Sequence, residues 1–226
     1  MASADVGLVI VAAGSGTRLG ADAPKAFVPL AGVPILGHAL RGALSCPGLR
    51  EVVVVAPPAW LGQAEQVCRS AGLSSPLTVV PGGAERGHSV AAGLAALSDA
   101  VRVVLVHDAA RCLAPASVYA RVVEAVRAGA AAAVPGVAVV DTIKEIDACG
   151  RVVATPERSR LRAVQTPQGF SRTVLERAHA LTSDATDDAA LVERLGEPVL
   201  VVEGDDRALK ITTREDLDRA ARILAG

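Results

Sequence analysis

Two cations stand beside a run of small residues near the start of the chain. Arg18 lies within Ala12-Ala-Gly-Ser-Gly-Thr-Arg-Leu-Gly20, and Lys25 follows in the pair Pro24-Lys25. Glycines in such a loop let backbone N–H groups approach and cradle phosphate oxygens. Ala12, Ala13 and Gly14 head the loop and are candidate nucleotide contacts. A triphosphate substituted at its α-phosphorus gathers negative charge on the equatorial oxygens, and fixed cations there stabilise the transition state more than the ground state. From residue types alone, Arg18 and Lys25 are equally readable as solvated surface charges. The loop misses two better-known templates: G-x-G-x-x-G needs glycine where Leu19 stands, and the Lys-Ser/Thr pair of a P-loop is missing.

Two further segments carry polar groups. Val101–Val106 runs into His107-Asp-Ala-Ala-Arg111, which places Asp108 at the carboxyl edge of a strand, where open α/β sheets keep their ligands. A lone carboxylate there suits Mg²⁺, which keeps most of its waters and bridges substrate phosphates. Asp108 capping the next turn, with Arg111 pairing to it, fits the same residues. His107 and Cys112 lack partners at metal-ligand or triad spacing and read as structural. The segment Pro81-Gly-Gly-Ala-Glu-Arg-Gly-His-Ser89 joins a strand to a helix; its glycines permit backbone groups to meet a flat base edge, and Ser89 adds a hydroxyl. A plain helix N-cap by Ser89 or a neighbour is the alternative.

The elements that must position these groups follow from periodicity. Val-rich runs recur at Val6–Val11, Glu51–Ala56, Leu77–Val80, Val101–His107 and Ala130–Pro135, separated mostly by segments of helical period. Val90, Leu94 and Leu97 form one apolar stripe, and Val118, Val122 and Val126 another. This alternation predicts an α/β domain with a doubly wound, mostly parallel sheet. From Val137 to Arg160 the pattern changes to polar–apolar alternation, with Thr142–Ile146 and Arg151–Thr155 flanking an Asp147–Gly150 turn, which predicts an inserted β-hairpin arm over 137–160. A two-stranded ribbon is marginal alone in water, so the arm predicts a homodimer. A strand at Ala163–Thr166, helices at Arg172–Leu181 and Asp187–Leu195, a strand at Pro198–Val202 and a final helix opened by Thr213 and Asp216 complete a single domain over 1–226.

Composition narrows the function classes. With 23 basic and 24 acidic residues the net charge is −1, so no global charge steers the chain onto nucleic acid or an acidic membrane. Hydrophobic residues make up 51% and aromatics 2%, which points to an aliphatic core packed closely between helix and sheet. The N-terminal apolar run is too short to span a membrane, and no basic stretch precedes it. Cys46, Cys68, Cys112 and Cys149 form no C-x-x-C pair, which argues against zinc and a disulfide framework and for a reducing cytoplasm.

Taken in order, Ala12–Arg18, Pro24-Lys25, Gly83–Ser89, His107–Arg111, Asp141-Thr142, Thr166-Pro-Gln168, Thr186-Asp187-Asp188 and Leu209-Lys210-Ile-Thr span nearly the whole chain, and the set resembles the 2-C-methyl-D-erythritol 4-phosphate cytidylyltransferases. The resemblance implies a Rossmann-like nucleotidyltransferase fold whose arm mediates dimerisation, and transfer of a cytidylyl group from CTP to methylerythritol phosphate. It implies Arg18 and Lys25 at the pentacoordinate α-phosphate and Asp108 beside Mg²⁺ on the CTP phosphates. Gly83 and Ala84 backbone groups with the Ser89 hydroxyl would read cytosine, and Arg111 is a further candidate substrate contact. Thr142, Arg158, Thr166 and Lys210 would hold the acceptor, Thr142 and Arg158 from the partner's arm, with Arg160 a rival to Arg158. A ribitol 5-phosphate cytidylyltransferase is the neighbouring alternative. The family often has an acid where Ala84 stands and proline where Cys112 stands. The chain ends at Gly226, which predicts no fused downstream cyclase.

Overall fold

The computed structural model describes residues 4–14, 16, 19–20, 22–72, 74–181 and 186–226. In chain order the strands are β1 (Val6–Val11), β2 (Pro29–Leu30), β3 (Val33–Pro34), β4 (Leu49–Ala56), β5 (Leu77–Pro81), β6 (Val103–Asp108), β7 (Ala132–Ala138), β8 (Glu145–Ile146), β9 (Val152–Ala154), β10 (Arg162–Val164), β11 (Gln168–Ser171) and β12 (Val199–Glu203). The helices are α1 (Ile35–Ala43), α2 (Leu61–Ser70), α3 (Arg86–Ala95), α4 (Ala116–Arg127), α5 (Arg172–Leu181), α6 (Asp188–Arg194) and α7 (Arg214–Ala225).

β1 lies between β4 and β6, and β5 pairs the far side of β4, all parallel. β7 carries three partners. Ala132 and Ala133 pair both β11 and β12, while Gly136 pairs both β10 and β12. A strand has two edges, so β10 and β11 must follow one another along one edge of β7 and β12 must take the other. β11 also pairs β6 antiparallel, which joins the two halves of the eight-stranded sheet.

The side-chain period of two divides the core between the faces of this sheet. Leu8, Ile10, Val52, Val54 and Leu105 pack with α1, α2 and α4 residues such as Leu36, Ala64 and Tyr119. Val9, Val53, Val55, Val104 and Val106 pack with Val90 of α3, Leu175 of α5 and Leu191 of α6. Both faces are therefore covered, which is why these strands read as continuous apolar runs. α7 closes a third cluster around Ile211, Leu30 and Ile35, and its Thr213–Asp216 capping box is fully formed.

The mostly parallel doubly wound sheet agrees with the sequence reading, with corrections around the arm. The strand expected at Ala163–Thr166 stops at Val164, and the chain then adds β11, which no periodicity announced. Only Glu145–Ile146 and Val152–Ala154 of the expected hairpin pair, through an irregular register, and they are separate from the main sheet. The arm leaves Val140 81% exposed, with Ile146, Val152 and Val153 also exposed. The helix expected from Asp187 begins at Asp188, because the Asp187 carboxylate caps it by accepting from the Ala190 amide.

Candidate active site

Because β1, β4, β5 and β6 run parallel, their carboxyl ends meet at one edge, with Val11 opposite Asp108 and Ala56 opposite Pro81. The strand order reverses direction at β1, and the crevice beside it is where doubly wound sheets bind ligands. A cavity of about 430 Å³ opens there, lined by Ala12, Ala13 and Gly14 after β1, Lys25, the Gly83–Arg86 turn with Ser89, Asp108 and Lys210. Its size suits a small-molecule ligand.

Two glycines set the walls. A Cβ on Gly82 would stand 2.5 Å from the Ala13 Cβ and 3.0 Å from Ser89 Oγ, so the loops after β1 and β5 can approach only with glycine there. Gly16, at φ +68°, leaves no room for a side chain either, since an added Cβ would lie 2.5 Å from the Lys25 Cβ. Lys25 itself opens a 3-10 turn, Lys25–Phe27, anchored by buried Ala26. Gly82→Ala is expected to push the two loops apart and weaken binding of a ligand in this cavity about tenfold, in line with the cost of overpacking. Ligand titration of the two proteins, with melting temperature as the control for folding, checks this.

Asp108 is the electrostatic centre. Lys210 Nζ lies 2.7 Å from Oδ2, and Arg86 Nη2 lies 3.6 Å from Oδ1. Burial pushes the carboxyl up, but Lys210 and then Arg86 more than reverse this and hold it at about 2, so it is ionised near neutral pH. Its backbone N–H donates to Thr166 Oγ1 at 3.1 Å, and that hydroxyl also meets His107 Nδ1 at 3.0 Å. Burial drives His107 down to about 4, which keeps the ring neutral. Among the described residues no cluster of three His, Cys, Asp or Glu could hold a metal alone. One ionised carboxylate facing a cavity fits a divalent ion that arrives with phosphate ligands of its own.

The structure brings together Ala12, Ala13, Gly14, Lys25, Gly83, Ala84, Ser89, Asp108 and Lys210 from the sequence-predicted set. Arg18 lies outside the described residues. Ser89 is inside α3 rather than at its cap; its buried hydroxyl donates to the Glu85 carbonyl and accepts from the Gly83 amide, each at 3.2 Å. Asp108 does not cap the following turn through its side chain. Arg111 is not among the lining residues, because its guanidinium is spent on the carbonyls of Ala208 at 2.8 Å and Val164 at 3.0 Å. Thr166 sits buried behind Asp108. Thr142 and Arg158 are exposed on the arm, away from the lining, and Arg158 donates to the Val140 carbonyl. Cys112 is buried and its thiol pushed up to about 12, consistent with a structural residue.

Arg86 was not singled out by sequence reasoning. Its Nη1 lies 2.7 Å from Oδ2 of the fully buried Asp188. Arg86 and Asp188 stand in two of the motifs above, Gly83–Ser89 and Thr186-Asp187-Asp188, but the partners lie 102 positions apart and no local pattern pairs them.

The model of the 2-C-methyl-D-erythritol 4-phosphate cytidylyltransferase family matches residues 6–226. A cytidylyltransferase so named from Saccharopolyspora erythraea is 52% identical over 221 residues, covering 96% of this chain and 98% of that one. Its counterpart from Nocardia farcinica is 50% identical over 216 residues, covering 96% and 92%. Among solved structures, that of the Thermus thermophilus enzyme of the same name superposes with a TM-score of 0.78 at 35% identity, over 98% of this chain and all of that one. With the family model spanning nearly every residue and the fold and cavity agreeing, the chain belongs to the 2-C-methyl-D-erythritol 4-phosphate cytidylyltransferase family.

Proposed function

We propose that this chain transfers the cytidylyl group of CTP to 2-C-methyl-D-erythritol 4-phosphate in the non-mevalonate route to isoprenoids. The observation that carries this reading is the gathering of Lys25, Arg86, Lys210 and Asp108 around one cavity at the carboxyl edge of the sheet, in a chain of this family. A phosphate oxygen of the acceptor forms a bond to the α-phosphorus of CTP, the bond from that phosphorus to the bridging oxygen breaks, and pyrophosphate leaves with the electron pair. A phosphate monoester is largely dianionic near neutral pH, so the nucleophile needs no general base. Positioning and charge neutralisation carry the step.

Lys25, on the cavity wall, would stabilise the α-phosphate, and the family resemblance gives Arg18 the same role. The Gly83 amide is committed to Ser89, which leaves the Gly83 carbonyl and the Ala84 backbone for the cytosine edge. Ala12, Ala13 and Gly14 offer backbone to the nucleotide. Lys210 turns to the acceptor phosphate, and Thr166 fixes the Asp108 backbone beside it. Asp108 would hold Mg²⁺, which when bound neutralises charge on the nucleotide phosphates. Thr142 and Arg158 reach the acceptor from the arm of a second copy, and the exposed apolar side chains of that arm support a homodimer. No helix among the described residues is long and apolar enough to cross a membrane, and four free cysteines, three of them buried, suit the cytoplasm.

A pyrophosphate-release assay across the four nucleoside triphosphates, with methylerythritol phosphate, ribitol 5-phosphate or no acceptor, tests the reading. Release confined to CTP with methylerythritol phosphate and Mg²⁺ is expected. Faster release with ribitol phosphate, or release without an acceptor, overturns it.

A further inference from the structure

Asp188 has no role in the reaction proposed above, yet its carboxyl group is buried beside an arginine. Its carboxylate is wholly buried and satisfied on both oxygens, Oδ2 by Arg86 Nη1 at 2.7 Å and Oδ1 by His179 Nε2 at 3.0 Å. A buried carboxylate survives only with such partners. The frame behind it is stiff: Asp188 opens α6, the preceding Asp187 accepts from Gln168 Nε2 at 2.7 Å, and Gln168 lies in β11 opposite Val106 of β6.

The other end of this network faces the cavity. Arg86 is the first residue of α3, and one nitrogen of its fork is spent on Asp188 while Nη2 reaches toward Asp108 Oδ1 at 3.6 Å. That distance is too long for a hydrogen bond. Lys210 already holds the other Asp108 oxygen at 2.7 Å. Burial opposes the charge on Arg86, but Asp188 and Asp108 more than offset it and keep the guanidinium protonated. The result is a cation with one nitrogen anchored and the next directed into the anion-binding space.

We propose that Asp188, braced by His179, is a positioning residue that holds Arg86 so that its second terminal nitrogen binds an oxygen of the nucleotide polyphosphate. This rests on the cytidylyltransferase reading for the identity of the ligand. It adds a substrate-contacting cation, Arg86, and a buried residue acting through it. A planar fork suits this role, because its two terminal nitrogens stand apart and reach the buried anchor and the ligand at once, whereas the three N–H donors of an ammonium share one point in space.

Calorimetric titration with CTP and Mg²⁺, and separately with inorganic tripolyphosphate, tests the proposal without need of an acceptor. Arg86→Lys keeps an ion pair with Asp188 and is expected to fold, yet to weaken CTP binding roughly ten- to a hundredfold, the usual worth of a charge-assisted hydrogen bond. Arg86→Gln and Asp188→Asn are expected to weaken binding singly, and the double variant to bind no worse than Arg86→Gln alone. Unchanged affinity in Arg86→Lys, or losses that multiply in the double variant, overturns the proposal. If Asp188→Asn does not fold, Arg86→Lys decides alone. Turnover failure with intact CTP binding sinks the acceptor assignment and not this one, whereas absence of binding to both titrants in the unaltered chain sinks both.

Discussion

Lys25→Ala is expected to lower kcat for pyrophosphate release roughly a hundredfold or more, the typical cost of removing one preorganised charge donor from a transition state. The reason lies in how the side chain is held. Pro24 precedes a single 3-10 turn, Ala26 is buried beneath it, and the glycine at position 16 lets the neighbouring loop close on the Lys25 Cβ. Lys25 therefore lines the cavity beside the Ala12–Gly14 backbone from a fixed stretch of main chain. Charge that develops during substitution meets a group already in place, so the loss should fall on kcat more than on KM. Steady-state rates together with a melting curve check this. A variant that folds and turns over at the original rate would return Lys25 to the class of solvated surface charges.

Mixing two inactive variants is expected to restore activity. Lys25→Ala removes a group on the cavity wall, whereas Arg158→Ala removes one on the arm, which the structure places away from that wall. If the arm serves the site of a second copy, a symmetric dimer of the two variants has one site lacking both groups and one with both intact. Random re-association then yields about a quarter of the original number of complete sites. The exposed Val140, Ile146, Val152 and Val153 supply the apolar surface that such an exchange needs. Subunits are mixed under mild denaturant and assayed after its removal, with sedimentation reporting the oligomeric state. A mixture as silent as its components would show that Arg158 does not act across copies.

Much of the frame was legible in the sequence because it depends on local pattern. Val6–Val11 is apolar at successive positions since both faces of β1 are covered, and the stripe of α4 repeats every fourth residue since one side of that helix meets the sheet. The Gly82-Gly83 pair and the Thr213–Asp216 box are short-range statements about backbone geometry, so their chemistry could be read where they stand. The same holds for Asp108, which had to sit at a strand end once β6 was recognised.

What the sequence determined by itself, then, was the alternation of strand and helix, the small-residue turns at the strand ends and the kinds of charge those turns carry. The tertiary structure alone decided who faces whom. It spent Arg111 on two carbonyls, turned Ser89 inward onto its own loop, inserted β11 between β6 and β7, and brought Asp188 to Arg86 from 102 positions away. Periodicity is a property of neighbours along the chain, whereas a salt bridge between α3 and α6 is set by how both helices pack on the same face of the sheet, and no local pattern encodes that distance.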